Sequence, residues 1–423
     1  MNQKFAGVKG MNDLLPGEIE IWQHVESTAH AVLARYGYSE VRTPVVEDTA
    51  LFVRSVGETT DIVGKEMYTF DDKAGRSLTL RPEGTAPAAR AYIEHSVQNL
   101  EPVSRWYYVG PMFRYERMKT GRYRQFFQLG VEAYGIAEPA EDVEQMELVT
   151  HLLARLGLTG VSLNLNSLGD DACRPEYQKK LVGYLEAHRE ALCAECKERL
   201  TRNPLRVLDC KNERCQEIAR GAPSILEMLC QPCQAHFAEV QRLLGVLRVP
   251  YVLNPRLVRG LDYYTRTAFE LVAADPVLGT ASAVGGGGRY DKLVESLGGS
   301  AVPAVGFALG LDRLCLLAKA AGQVPTGRPE LFVVTVGPAA RDRALELATG
   351  LRHAGHRVEL DARGGSVKSQ MKRADKSAAT YALVLGDQEL AEGVAQLKPM
   401  AGGEPVRVAL DRLEATLTEL KQS

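Results

Sequence analysis

Between Arg105-Trp106-Tyr107-Tyr108-Val109 and Gln125-Phe126-Phe127-Gln128-Leu129-Gly130-Val131 the chain carries Glu116-Arg117-Met118-Lys119-Thr120-Gly121-Arg122-Tyr123-Arg124. Aromatic and β-branched runs suit a pleated surface, so two such runs around a polar, glycine-containing segment predict antiparallel strands joined by a long loop. From Arg105 to Arg124 six cations stand against Glu116 alone, a local balance of +5. Guanidinium forks match phosphate oxygens, and this hairpin therefore has the chemistry to hold a nucleotide, an RNA backbone or both. A hairpin whose cations simply face water is the alternative.

Upstream, Asp13-Leu14-Leu15-Pro16-Gly17 is a turn signal, and Ile21, Trp22, Val25, Ala29, Val32, Leu33 and Tyr36 recur at helical spacing, which predicts a helix over 18–35. Residues 40–46 read as one short extended element with Pro44 at an edge or bend. Downstream, 143–156 reads as helix and 161–166 as an alternating strand, followed by a helical, charged and cysteine-bearing stretch over 170–248. Strand signals resume at 251–253 and 265–272. Val284-Gly285-Gly286-Gly287-Gly288-Arg289-Tyr290 reads as flexible, either a close-packed turn beside a small substrate or an ordinary turn. It is neither a P-loop, which needs Gly-Lys-Ser/Thr, nor a Gly-x-Gly-x-x-Gly dinucleotide site.

Residues 305–310 lead into a helix at 311–320, and 322–329 form the clearest linker. Beyond it, strands at 331–336, 357–360 and 381–385 alternate with helices at 342–353 and 367–379, with a last helix from 411. The expected division is a first domain in two parts, 1–169 and 249–325, a helical insertion at 170–248 and a small α/β domain at 330–423. In the last of these, Lys368, Lys372 and Lys376 share one helix face, suited either to an RNA backbone or to solvent.

Whole-chain properties set the limits. The 423 residues are 45% hydrophobic and 25% charged with a net charge of −2, which excludes fibrous and disordered classes and gives no global polybasic signature. No apolar run approaches the roughly 20 residues needed to cross a bilayer, and the opening Met1-Asn2-Gln3-Lys4-Phe5 leads to no secretory apolar core, so a cytoplasmic protein without a membrane partner is expected.

Eight cysteines are too sparse for a disulfide framework. Cys193-Ala194-Glu195-Cys196 and Cys230-Gln231-Pro232-Cys233 are two C-x-x-C pairs that together have the four thiolates of a tetrahedral zinc site; reduced buried cysteines or redox-sensitive pairs are the other reading, and no metal ligand is assigned. Cys210 and Cys215 lie between the pairs without a role. Cys173 and Cys315 read as packing residues, and His188 and His236 as surface helix positions.

Arg81-Pro82-Glu83-Gly84-Thr85, Phe113-Arg114-Tyr115-Glu116, Leu257-Val258-Arg259-Gly260-Leu261-Asp262-Tyr263-Tyr264, Gly285 to Asp291 and Gly306-Phe307-Ala308-Leu309-Gly310-Leu311-Asp312-Arg313 occur in that order. In this combination the chain resembles the histidyl-tRNA synthetase family of class II aminoacyl-tRNA synthetases over nearly its full length. The resemblance implies an α/β chain: an α+β catalytic domain built on the class II antiparallel sheet flanked by helices, a helical insertion, and a C-terminal α/β anticodon-binding domain. It also implies a homodimer whose interface uses the helix and strand at 18–46.

The implied reaction joins ATP, with Mg2+, to L-histidine as histidyl-adenylate and diphosphate; the 3′-terminal adenosine of histidine tRNA then takes the histidine and releases AMP. By the same resemblance Arg114, Arg259 and Arg313 are the catalytic cations, on the α-phosphate and substrate carboxylate, near the α-phosphate, and on the γ-phosphate respectively. Glu83, Thr85 and Gln128 match the side that receives the histidine ammonium, with Gly84 also among the histidine-binding positions, and Glu132 and Tyr264 match the imidazole wall. Tyr263 and Tyr290 complete the pocket or pack in the core. Phe126 matches the adenine-stacking position, with Glu116 and Arg122 also on ATP. Lys119, Arg122 and Arg124 on the hairpin, and Lys368, Lys372 and Lys376 in the last domain, are the tRNA-binding candidates. A regulatory subunit that keeps this scaffold without aminoacylation is the competing reading, and the intact arginine set speaks against it.

Overall fold

The structure, a computed structural model, describes residues 5–279, 282–323 and 327–422, so Met1 to Lys4 and part of the expected linker, Val324 to Thr326, lie outside the described residues. Two compact units divide the chain, Met1–Pro325 and Thr326–Ser423.

In the first unit α1 (Ile19–Arg35) precedes β1 (Ser39–Glu40), β2 (Val46–Asp48), α2 (Thr49–Val56), β3 (Tyr68–Asp71), β4 (Ser77–Leu80) and α3 (Thr85–Glu94). The hairpin β5 (Ser104–Phe113) and β6 (Gln125–Tyr134) follows, then α4 (Pro139–Arg155) and β7 (Val161–Ser167). The insertion holds α5 (Arg174–Ala187), α6 (Ala194–Arg202), α7 (Glu213–Arg220) and α8 (Gln231–Leu247). β8 (Val252–Leu253), β9 (Thr265–Ala273), β10 (Ala283–Arg289), α9 (Leu293–Ser296), β11 (Ala304–Gly310) and α10 (Leu311–Ala320) complete the unit.

One eight-stranded sheet runs in the order β1-β5-β6-β11-β10-β9-β7-β8. Its six inner strands are antiparallel and only the two-residue edge strands β1 and β8 pair in parallel. β5 and β6 are the antiparallel strands that the hairpin predicted, and the sheet is the antiparallel one that the resemblance implied. Side chains alternate between its faces, so β6 splits cleanly. Phe127, Leu129 and Val131 join the core with α1, α4 and α10, and Trp22 of α1 meets Phe127 edge-on at 5.3 Å. Phe126, Gln128 and Glu132 are left on the opposite face.

Ile21, Trp22, Val25, Ala29, Val32 and Leu33 of α1 are all buried within this one chain, which at roughly 1.5–3 kcal/mol per large apolar side chain makes the helix a main support of the sheet. The stripe read from the sequence is therefore consumed internally. The element expected at 40–46 is broken in two: β1 pairs with β5, whereas β2 pairs with β4 in a separate three-stranded sheet. Pro44 lies in the bend between them, where Arg81 donates to the Thr43 carbonyl at 3.0 Å.

The glycine run corrects a second expectation. Gly285 to Gly288 are not a turn but the middle of β10, paired with β9 on one side and β11 on the other. A methyl group on Gly287 would come within 2.7 Å of the Phe307 Cα, so the absence of side chains is what lets the strands close.

The second unit contains β12 (Leu331–Thr335), α11 (Pro338–His353), β13 (Val358–Leu360), α12 (Val367–Lys376), β14 (Tyr381–Leu385), α13 (Asp387–Glu392), β15 (Val394–Pro399), β16 (Val406–Ala409) and α14 (Leu413–Gln422). Its sheet order is β13-β12-β14-β15-β16. The alternating strands and helices up to β14 were expected; the antiparallel pair β15 and β16 was not, because only Ala395, Leu397 and Val408 carry its buried period-two signal. Among the described residues no helix is long and apolar enough to cross a membrane.

Candidate active site

A cavity of about 660 Å3 opens on the face of the eight-stranded sheet opposite α1. Its walls come from the β5–β6 hairpin, the start of α3, the 257–264 segment, β10, the junction of β11 with α10, and the insertion. Sequence positions as far apart as Ile62 and Arg313 thus meet in one place.

At one end Glu83 caps α3. Its carboxylate accepts from the backbone N–H groups of Thr85 at 2.7 Å and Ala86 at 2.8 Å, and burial raises its pKa above the ordinary carboxylate value. Gly84 backs onto the Tyr108 ring rather than the cavity. The Thr85 hydroxyl donates to Glu132 at 2.8 Å. Glu132 lies one layer behind the wall, where it also accepts from Tyr108 at 2.9 Å and from Tyr290. Burial pushes its pKa up to about 8, although three hydroxyl donors pull the other way. Tyr263 and Tyr264 line the cavity, while Tyr290 stands behind them with its ring 5.6 Å from that of Tyr263. Gln128 also lines it, with a buried Oε1 that has no hydrogen-bond partner among the described residues.

The cations occupy the rest of the space. Arg114 is anchored by its Nε on the Pro82 carbonyl at 2.8 Å, and its guanidinium lies 5.2 Å from the centre of the Phe126 ring. Arg122 pairs with Glu116 at 3.0 Å. Arg313, at the first turn of α10, donates to the carbonyls of Gly121, at 3.0 Å, and Ala283, which ties the hairpin loop to β10. Burial, followed by the nearby Arg122, lowers its pKa. Arg259 pairs with Glu270 at 3.3 Å, lies 5.4 Å from the Tyr264 ring centre, and keeps a buried Nε without a partner among the described residues. Its room exists because residue 286 is glycine, where a methyl would meet the Arg259 guanidinium at 2.7 Å. Glu270 itself is raised in pKa by burial.

Of the expected tRNA-binding residues on the hairpin, Arg122 lines this cavity. Lys119 is exposed at the hairpin tip, whereas Arg124 is half-buried with its guanidinium 3.8 Å from the Tyr115 ring centre. Lys368, Lys372 and Lys376 are exposed along α12, whose other face buries Gln370 and Ala374.

Three features were not legible. Arg206 and Lys211 bring the insertion into the cavity wall; burial and then Arg122 lower the Lys211 pKa, the mark of an amine pressed toward other cations. In the sequence they look like ordinary charged positions of a helical stretch. Asp312 accepts from the Phe127 N–H at 2.8 Å, and burial pushes its pKa up to about 6. His236, expected on a surface, is buried and within 3.3 Å of Asp142 and 3.2 Å of Thr267, beside the fully buried Arg289–Asp142 ion pair. Its helix packs inward because Phe237, Val240 and Leu244 bury the same side.

The cysteines correct the sequence reading most. The two C-x-x-C pairs do not converge: Cys193 and Cys196 meet Cys210 and Cys215, while Cys230 and Cys233 meet Asp170 and Cys173. Cys173 is buried in the core, as is Cys315, and also stands in the second of these groups.

A family model described as histidyl-tRNA synthetase matches residues 10–314, and one described as anticodon binding domain matches 330–420. The chain is 53% identical over 416 residues to a histidine–tRNA ligase of Anaeromyxobacter sp. (strain K), covering 98% of this chain and 100% of that one. It is 50% identical over 414 residues to that of Syntrophotalea carbinolica, 98% of each. The crystal structure of apo S. aureus histidyl-tRNA synthetase superposes with a TM-score of 0.80 at 38% identity, covering 98% of this chain and 100% of that chain. The chain belongs to the histidyl-tRNA synthetase family.

Proposed function

We propose that the cavity joins L-histidine to ATP as histidyl-adenylate and then passes histidine to the 3′-terminal adenosine of histidine tRNA, releasing AMP and diphosphate. The chain is an ATP-dependent aminoacyl-tRNA ligase. One observation carries the assignment of the site: Gln128 Oε1 and Arg259 Nε, an acceptor and a donor of residues that line one cavity, are buried without hydrogen-bond partners among the described residues, and a bound ligand would supply them.

The histidine ammonium is assigned to Gln128, Glu83 and Thr85, which offer acceptors on one side. Its imidazole is directed to Tyr264 and Tyr263, with Glu132 acting through Thr85 and Tyr290 rather than by direct exposure. Apolar analogues leave those polar groups uncompensated, which is a strong basis for rejection.

Adenine stacks on Phe126 in this reading, with Glu116 at its edge. Arg114 and Arg259 face the α-phosphate and Arg313 the γ-phosphate, with Lys211 added at the phosphate end. As the histidine carboxylate oxygen bonds to the α-phosphorus and the bond to diphosphate breaks, negative charge is carried by the phosphoryl and leaving oxygens, and fixed guanidinium groups stabilise it without exchanging a proton. Magnesium fits the same site: Glu270, which pairs with Arg259 through one oxygen, would offer a carboxylate ligand of the right type. When bound, the ion neutralises triphosphate charge.

Lys119 and Arg122 are assigned to the tRNA acceptor end, with Arg124 held partly by Tyr115, and Lys368, Lys372 and Lys376 to the anticodon arm. A homodimer and a cytoplasmic location belong to the same proposal. Charging of purified histidine tRNA with labelled histidine tests it: one AMP per histidyl-tRNA is expected, and AMP release without acid-stable histidyl-tRNA would contradict it.

A further inference from the structure

We propose that the insertion holds two zinc ions, one bound by Cys193, Cys196, Cys210 and Cys215, the other by Cys173, Cys230, Cys233 and Asp170. Within each group the ligand atoms all lie within 4.8 Å of one another. A tetrahedron with Zn–S bonds of about 2.3 Å has edges of about 3.8 Å. The Cys193 and Cys210 sulfurs are 3.9 Å apart, already at that spacing. In the second group Asp170 Oδ1 is 3.6 Å from both the Cys173 and the Cys230 sulfur.

The backbone prepares both groups in the same way. Cys193 and Cys230 sit at the N-caps of α6 and α8 in extended conformation, with Cys196 and Cys233 one turn on, so each C-x-x-C aims two sulfurs off one helix end. Backbone N–H groups then point at the remaining sulfurs: Cys193 donates to Cys215 at 3.3 Å, Asn212 to Cys210 at 3.4 Å and Asp170 to Cys173 at 3.3 Å. Such donors orient and stabilise thiolates around a metal. Arg266 approaches the far oxygen of Asp170 at 3.5 Å and leaves Oδ1 toward the sulfurs.

The two centres divide the work of holding the insertion. The second joins its entry, Asp170 and Cys173, to the start of its last helix. The first clamps α6 to the 210–215 segment, directly beside Arg206 and Lys211 in the cavity wall. Thiolate sets of this geometry suit zinc or iron, and a carboxylate in one of them is ordinary for zinc.

Full-length, untagged protein purified without chelator tests this by elemental analysis, with two zinc per chain expected. C215S and C233S should each lose one equivalent, and C315S none. Cobalt titrated into reduced, metal-stripped wild-type protein should reach an endpoint at two equivalents, with thiolate charge-transfer bands and the strong d–d absorption of tetrahedral cobalt; this readout stands even if the serine variants do not fold. Less than half an equivalent of zinc, together with no cobalt spectrum, overturns both sites. Loss confined to C215S, with a one-equivalent cobalt endpoint, overturns the second. Iron in place of zinc overturns the choice of ion. None of these readouts depends on aminoacylation.

Discussion

Arg259 reaches Glu270 across 3.3 Å while its own Nε stays buried without a hydrogen-bond partner among the described residues. The guanidinium is thus held by one arm and has donors left for a substrate. R259A should lower adenylate formation by about 10²–10³-fold, the scale of removing one fixed donor from a developing anion. Binding of tRNA, measured by filter retention, should change less than twofold. Wild-type rates of activation in R259A would reject the role.

Gly287 has no space for a side chain between β10 and β11. G287A should cost at least about 1–3 kcal/mol, since an overpacked strand must shift against its neighbours. Urea denaturation checks this, and an unchanged midpoint would mean that the strands are further apart than described.

Glu132 makes stability depend on pH in a defined direction. Its carboxyl titrates at about 8 in the fold against an ordinary 4.5, so between these values the folded chain binds the extra proton. Stability from this group is present at low pH and is lost as pH rises through 8. E132Q cannot titrate, so relative to E132Q the wild type should lose stability steadily from pH 5 to 8, by up to about 1.4 kcal/mol per unit. Parallel pH profiles of urea midpoints would contradict the burial argument.

How much the sequence disclosed depended on what each residue had to touch. The hairpin and α1 were legible because apolar periodicity and charge act locally, whereas the arginine motifs were identified through the family resemblance. The glycines of β10 were misread as a turn because their function, admitting neighbouring backbones and Arg259, exists only after the strands pair. Lys211 and Arg206 were invisible for a related reason: a charged residue on a helical insertion carries no mark of the cavity it will face. The C-x-x-C spacing was legible, but the partner of each pair was set by helix packing, which brought Asp170 and Cys173 to one and Cys210 and Cys215 to the other.

Lys368, Lys372 and Lys376 are exposed on one face of α12, away from its buried Gln370 and Ala374. Replacing all three with alanine should weaken tRNA binding and flatten the slope of log affinity against log salt by about 2–3, the loss expected for three phosphate contacts. Diphosphate exchange should stay at wild-type rates. An unaltered salt slope would place the anticodon arm elsewhere.

The central claim is that the cavity activates histidine with ATP. Histidine-dependent exchange of labelled diphosphate into ATP, in the presence of magnesium and without tRNA, measures that step alone. Exchange that requires histidine and falls sharply in R259A is the predicted result; folded wild-type protein that shows no histidine-dependent exchange would contradict the account.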